Sequence, residues 1–410
     1  MPEFFNVLPP ADAFEVVRAN VAARTEPELI ATADALNRVT ASEVLSPEVL
    51  PAFPRSTMDG YSVRARDTFG ASEGMPAYME VVGKVAMGRA VDVNLATGQT
   101  AEAYTGGGLA GGADAVVMVE HTQVVNDTTI EVVRSVAPGE NVVQVGEDVR
   151  ESEPILPAGH VLRPQDIGGL MALGVTEVNV NRRPRVAIVS TGDELVPPSE
   201  KPGAGSIRDI NTFTISSLVT QAGGVPMPQG LAPDEFEAQR EAAVSGIAQA
   251  DILVFSAGSS VSSRDMTADV IGSLGEPGVL VHGISIRPGK PSIVGVIDGK
   301  PVFGLPGNPV SAMVVFGLLV RPTIYLLSGC PEPPEPATVP ARLVRDIASQ
   351  TGREDHVPVK LSRQDGALQA DPVFGKSNLI YTLVRSDGMV TVPLDAGGLY
   401  AGDEVSVRLY

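Results

Sequence analysis

Apolar positions follow different rhythms in successive parts of the chain. Over residues 11–41, Val16, Val17, Val21, Leu29, Ile30 and Leu36 recur at threes and fours, which predicts helix. From 51 to 146, Val-rich runs such as AVVMVEHTQVV and TTIEVVRSV alternate with Gly and Asp, the pattern of a small antiparallel β domain. Residues 147–180 return to helix in RPQDIGGLMALG. From Pro184, apolar strands that end in polar loops (RVAIVSTGDEL, DILVFSAGSS, PVFGLPGNP) alternate with helical stretches (NTFTISSLVTQAGG, TADVIGSLG, VSAMVVFGLLVRP). GVLVHGISI and SIVGVI add strand character, and the alternation predicts a doubly wound α/β domain with a mainly parallel sheet. PEPPEPATVP, at 331–340, is a Pro-rich linker, and 341–410 alternates like a small β-barrel. The expected fold class is therefore α/β and β, multidomain. Residues 1–50 with 147–180 form an N-terminal helical/β module, 51–146 an inserted β domain, 181–330 the α/β domain and 331–410 the C-terminal barrel.

Charge narrows the function. The net charge of -19 opposes association with nucleic acid or an anionic membrane, and 4% aromatic residues with no Trp make base stacking a poor basis for recognition. An anionic small substrate requires a local positive pocket or a divalent cation. The single cysteine, Cys330, provides neither an intramolecular disulfide nor a Cys-based zinc site, which fits a reducing cytoplasm. The first residues show no basic region followed by a long apolar run, and Ala312–Val320 is too short to span a bilayer, so no signal peptide or membrane span is expected.

Three strands of the α/β stretch end in loops of marked chemistry, Thr191–Glu194, Ser256–Asp265 and Gly304–Pro309. Ligands of open parallel sheets bind outside the carboxyl ends of the strands, so these loops are expected to line one crevice. In GLPGNPVSA, Asn308 suits a helix cap and Pro309 the first helical position, Gly304 and Gly307 allow close backbone approach, and the helix start favours phosphate; a ligand-free strand–turn–helix junction fits the motif equally well. SAGSSVSSRD offers small donors at Gly258, Ser259 and Ser260, and Asp265 to hold a cation, although such a loop is more often simply solvated. RPGKP places Arg287 and Lys290 at a turn where they can pair with an oxyanion such as phosphate, against the commoner reading as surface charge. TGDEL brings Asp193 and Glu194 after Thr191 and Gly192, suited either to Mg²⁺ or to the acidic first turn of a helix. Asp59 in MDGYSVR and Asp148 in GED fit turns as well as catalysis. His121, His160, His282 and His356 have no ligand spacing and read as structural, as does Cys330.

MDGYSVR, TGGGLAGGADAVVMVE, GENVVQVGED, LRPQDIGGLMALG, VAIVSTGDEL, HGISIRPGKP and GLPGNPVSA, seven motifs in order, resemble the MoeA molybdopterin molybdenumtransferases and the similar gephyrin E domain. The resemblance implies an enzyme that takes adenylylated molybdopterin and molybdate, inserts molybdenum at the dithiolene with the help of Mg²⁺ (or Zn²⁺), and releases AMP. It implies a homodimer whose cleft lies between subunits, with possible contacts to the adenylyltransferase and to molybdoenzyme acceptors. It casts Asp59, Asp148, Glu194, Asp265 and Lys290 as catalytic, with Asp59, Glu194 and Asp265 holding metal. Thr191, Gly192, Asp193, Gly258, Ser259, Ser260, Arg287, Pro306, Gly307, Asn308 and Ser311 would bind substrate. Three departures stand out: SAGSSVSSRDMT in place of a Gly-richer run, Arg287 in place of Lys, and Asp209-Ile210-Asn211 in place of D-S-N. A non-catalytic scaffold, a tungsten-preferring insertase, a relative of the adenylyltransferase that makes the pterin adenylate and an inactive family member are the alternatives.

Overall fold

The computed structural model describes residues 7–21, 24–257 and 261–410, with backbone alone for 261–265. Its centre is a six-stranded sheet in the order Val225–Ala232, Arg185–Thr191, Ile252–Ala257, Lys300–Pro306, Ile293–Ile297, Pro277–His282. The first four strands run parallel, and Ile293–Ile297 pairs antiparallel with both of its neighbours. Arg185–Thr191, Ile252–Ala257 and Lys300–Pro306 are almost wholly buried, which explains why they read as apolar runs without alternation. Helices Asn211–Gln221 and Pro309–Val315 share one core with these strands, and Phe236–Gln249 and Val261–Leu274 pack with the opposite face.

Chain order within this sheet fixes where a ligand can enter. From Arg185–Thr191 the chain crosses to Val225–Ala232 on one side, then returns to Ile252–Ala257 on the other. Connections diverge above that strand pair and leave a crevice at its carboxyl end. Register sets Ser190 beside Ser256 and Ala257 beside Pro306, so the three loops predicted to carry chemistry emerge side by side.

The C-terminal region closes on itself. Strands Thr338–Leu343, Glu404–Leu409, Gly388–Val392, Glu354–Gln364 and Ala367–Pro372 pair in a ring, a five-stranded barrel around Leu343, Val359, Val390, Val392 and Val407. Ile286–Arg287 leaves the α/β unit and pairs with Glu354–Asp355, and Glu354 N–H donates to Ser285 O at 2.9 Å. The turn that follows, 288–291, is thereby held between sheet and barrel.

Several local expectations change. Among the described residues of 11–41, the α-helix is Pro10–Asn20 and a short 3-10 helix is Thr32–Asp34, because Pro27 starts a strand, Pro27–Ala31, paired with Glu177–Asn181. Ala13 and Val17 of that helix join the α/β core. The sheet within 51–146 is mixed, since Ala77–Lys84 and Gln99–Ala103 run parallel. Helix Val261–Leu274 begins well before TADVIGSLG, so Asp265 lies on a helix and not in a loop. Apolar helical residues continue unbroken from Pro309 to Leu327, 19 residues of mean hydropathy 1.9, longer than Ala312–Val320. Phe316, Leu319, Val320 and Ile324 from this stretch are buried in the α/β core, which accounts for its composition.

Arg182 and Asp251 join the N-terminal module to the sheet. The guanidinium donates from both Nη atoms to the two carboxylate oxygens at 2.9 Å and from Nε to Glu26 at 3.2 Å. Burial opposes ionisation of Asp251, but Arg182 and the Arg185 N–H more than offset it and hold the carboxyl below its ordinary range.

Candidate active site

Between the α/β unit and the barrel lies a cavity of about 1270 Å³. Arg287, Lys290, Pro306, Asn308 and Ser311 line it from the α/β side, and Asp346, Arg353, Asp355, His356 and Lys376 from the barrel side. Four basic side chains, Arg287, Lys290, Arg353 and Lys376, thus face two acidic ones, Asp346 and Asp355. Asp355 is buried and takes Arg353 at 2.8 Å and Arg287 at 3.5 Å, which tempers those two charges. Among the described residues neither the Lys290 nor the Lys376 ammonium has a hydrogen-bond or ion-pair partner. A chain of net charge -19 therefore presents two free cations to one cavity.

Local geometry explains how Lys290 gets there. Gly289 has φ +116°, and a Cβ on it would lie 2.7 Å from Val315 and 2.8 Å from Ile286, so only glycine fits the turn. Ile284 N–H donates to Lys290 O at 2.9 Å and closes that turn. Pro309 starts the facing helix as expected, but Asn308 makes no side-chain cap hydrogen bond and contributes to the cavity wall instead. Gly304 serves packing: its missing side chain leaves room for Ile293 on the adjacent strand, 3.1 Å from where a Cβ would sit.

Glu194 does not line this cavity. It belongs to a carboxylate group at the neighbouring strand end. Asp234 N–H donates to Asp193 Oδ1 at 3.0 Å, and the Glu194 carboxylate folds back over Gly192, where a Cβ would be 2.7 Å from Oε2. Burial first, then the charges of Asp193 and Glu194, push the Asp234 carboxyl above its ordinary range. The acidic first turn considered for Asp193 and Glu194 is absent, because the chain continues into Leu195–Val196, which pairs with Ile207–Arg208. Among the described residues, a basic cavity lies beyond Pro306 and an acidic cluster beyond Thr191, on strands separated by Ile252–Ala257, with residues 258–260 after that strand outside the described residues.

Asn211 connects the strands between these two parts. Its Nδ2 donates to Ser256 Oγ and to Gly307 O, both at 2.8 Å, and among the described residues its Oδ1 is buried without a partner, as is Thr191 Oγ1. Ser190 Oγ meets Thr212 Oγ1 at 2.7 Å, and Asp209 Oδ1 accepts from Thr212 N–H at 3.1 Å. Asn211, Asp234, Arg353, His356 and Lys376 were not singled out for the site by sequence reasoning. The D-x-N stretch had drawn notice at Asp209-Ile210-Asn211 without a site role for Asn211, whereas the barrel residues enter only through a tertiary contact.

Gly258, Ser259 and Ser260 lie outside the described residues, as does the side chain of Asp265. Asp59 and Asp148 lie outside the α/β unit. Asp59 Oδ1 accepts from Thr105 N–H at 2.8 Å and Oγ1 at 2.9 Å, bonds that hold its carboxyl below the ordinary range. Asp148 is exposed in an acidic loop with Glu147, Glu151 and Glu153. Within one chain, neither shares a cavity with Lys290 among the described residues. No group of three His, Cys, Asp or Glu side chains among those residues is placed to hold a metal ion; the expected set of Asp59, Glu194 and Asp265 includes Asp265, whose side chain lies outside the described residues.

Comparison with known proteins agrees along the whole chain. Family profiles match in succession: the MoeA N-terminal region (domain I and II) at 8–174, a probable molybdopterin binding domain at 187–325, and the MoeA C-terminal region (domain IV) at 340–410. A putative molybdopterin biosynthesis protein of Methanocaldococcus jannaschii is 34% identical, with 92% of this chain and 90% of that protein covered. A molybdopterin molybdenumtransferase of Haemophilus influenzae is 31% identical over 94% of each. The crystal structure of a molybdopterin biosynthesis MoeA protein from Pyrococcus horikoshii OT3 superposes with a TM-score of 0.85 at 31% identity, covering 99% of this chain and 100% of that one. Profiles, relatives and fold coincide from the N-terminal module to the barrel, and the chain belongs to the MoeA family of molybdopterin molybdenumtransferases.

Proposed function

We propose that this chain is a transferase that places molybdenum from molybdate onto molybdopterin, and that the cavity between sheet and barrel holds the anionic group of a substrate. The observation that carries the cavity assignment is that Lys290 and Lys376, neither with a partner among the described residues, line one cavity of an acidic chain. The reaction class rests on the relatives, among them the transferase of Haemophilus influenzae.

In finer detail, the substrate is adenylylated molybdopterin and AMP is released. Lys290 holds negative charge that builds on oxygen as the phosphoanhydride breaks, a role in which a fixed cation acts without reorganising. Asn308 and Ser311 orient the same group from the helix start. Glu194 would help hold a divalent cation, Mg²⁺ or Zn²⁺, together with oxygens of the substrate, because Asp193, Glu194 and Asp234 are not by themselves grouped to hold an ion. A bound Mg²⁺ supplies charge neutralisation at phosphate. A homodimer in the cytoplasm completes the proposal, with Asp59 and Asp148 reaching the cleft of the other subunit.

Purified protein given adenylylated molybdopterin, molybdate and Mg²⁺ is expected to release AMP and yield molybdenum-loaded pterin. Lys290→Ala should lower turnover by ~10²-fold, as for other lost electrostatic stabilisers. AMP release at the native rate by that variant would remove Lys290 from the mechanism.

A further inference from the structure

Phe374 follows barrel strand Ala367–Pro372 and lines the basic cavity, yet it remains 57% exposed. Among the described residues that line the cavity, it alone presents an open aromatic ring, because His356 is buried. Arg345 covers one face of that ring, its guanidinium carbon 5.2 Å from the centroid. The guanidinium is itself tied down, donating from Nε to Asp371 Oδ1 at 2.7 Å and from Nη2 to Pro372 O. The chain beyond the ring is fixed as well. A Cβ on Gly375 would collide with Thr382 Cγ2, so the segment lies flush against the short helix Tyr381–Val384. Val310 N–H, at the start of the facing helix, donates to Ser377 O at 3.1 Å. The ring is thus held in place before any ligand arrives, backed on one face and open on the other, which is the form of a preorganised stacking platform.

From this we propose that the open face of Phe374 stacks on a flat nitrogen heterocycle of the substrate whose anionic group the cavity holds. A volume of about 1270 Å³ is far more than one oxyanion fills and is ample for a ligand that carries both a ring and a charge. Lys376 stands two residues beyond Phe374 and lines the same cavity, so one anchored segment offers a π face and an ammonium to a single molecule. The cations draw the charged group, and the ring favours ligands that carry a planar aromatic system over bare anions of equal charge. Stacking tolerates different rings because each presents a π face. Adenine and a pterin share that chemistry. This rests on the reading of the cavity as the anion site.

Calorimetric titration of the full chain with AMP, with pterin-6-carboxylate and with inorganic phosphate tests it. Whichever ring-bearing ligand the native protein binds more tightly than phosphate names the ring. Phe374→Leu keeps apolar bulk but removes the π face, and it should loosen that ligand by ~10-fold, the scale of one lost stacking contact. Phosphate affinity should stay native in the same variant. Phe374→Tyr, which restores an aromatic face, should return most of the affinity. Native affinity for the ring-bearing ligand in Phe374→Leu would overturn the proposal. So would a loss that Phe374→Tyr does not rescue, or one that inorganic phosphate shares equally, since either assigns Phe374 to the shape of the wall. A native protein that binds phosphate, loses it in Lys290→Ala and binds neither ring-bearing ligand keeps the cavity reading and discards Phe374. A native protein that binds none of the three overturns both.

Discussion

Asp234 shows how far one residue depends on contacts that sequence spacing conceals. Its backbone is tied to Asp193, and its carboxyl is raised by burial and by Asp193 and Glu194. A raised carboxyl favours the folded state only below the ordinary Asp range and loses that contribution as pH rises through the folded value. Asp234→Asn should therefore raise the melting temperature relative to native protein at pH 7, with the gain vanishing near pH 3. Thermal scans at both pH values check this; equal melting temperatures at pH 7 would mean that neither burial nor the neighbouring carboxylates disfavour the charged form. Lys290 and Asn308, which line the cavity, drew notice in the sequence because each stands at a strand or turn end with strong local chemistry, whereas Glu194, which drew notice for the same reason, does not line it. Asp234, forty residues beyond Glu194 in sequence, and His356, on a barrel strand, acquire their surroundings only from the folded chain. Asn308 shows the opposite failure: its cap position was legible, but its side chain faces the cavity.

Secondary elements were clearest where burial is uniform. Arg185–Thr191, Ile252–Ala257 and Lys300–Pro306 are buried on both faces and bounded by Gly or Pro, so length and composition marked them as strands. Periodicity misled over 11–41, where Leu29 and Ile30 belong to a strand whose partner, Glu177–Asn181, is distant in sequence. The parallel pairing of Ala77–Lys84 with Gln99–Ala103 was hidden for the same reason. At this scale the Arg182–Asp251 pair is the testable joint. Both side chains are only about a quarter exposed, 27% and 24%, and Asp251→Ala leaves the guanidinium without its bidentate partner. The expected cost is about 1–3 kcal/mol, reduced from the fully buried case by solvent screening. Because the Asp251 carboxyl is held low, its contribution is present above the ordinary Asp range and disappears as pH falls through the folded value. Denaturant titrations should show native and variant proteins converging in acid, whereas a difference that persists there would assign the effect to packing.

Across the whole molecule, the architecture joins an acidic exterior to a basic interior seam. The sheet supplies Lys290 through a glycine-dependent turn, and the barrel supplies Lys376, Arg353 and His356 from the far wall. Ile286–Arg287 pairs with the barrel and fixes how the two walls meet. Neither wall alone gathers the four basic groups, which is why the site is a property of their packing and not of any one motif. Anomalous diffraction from crystals soaked in molybdate tests this claim most directly. The account predicts a molybdenum peak in the cavity, within hydrogen-bond reach of Lys290 and the barrel side chains. A peak confined to the Asp193–Glu194–Asp234 end, with none between sheet and barrel, would contradict it.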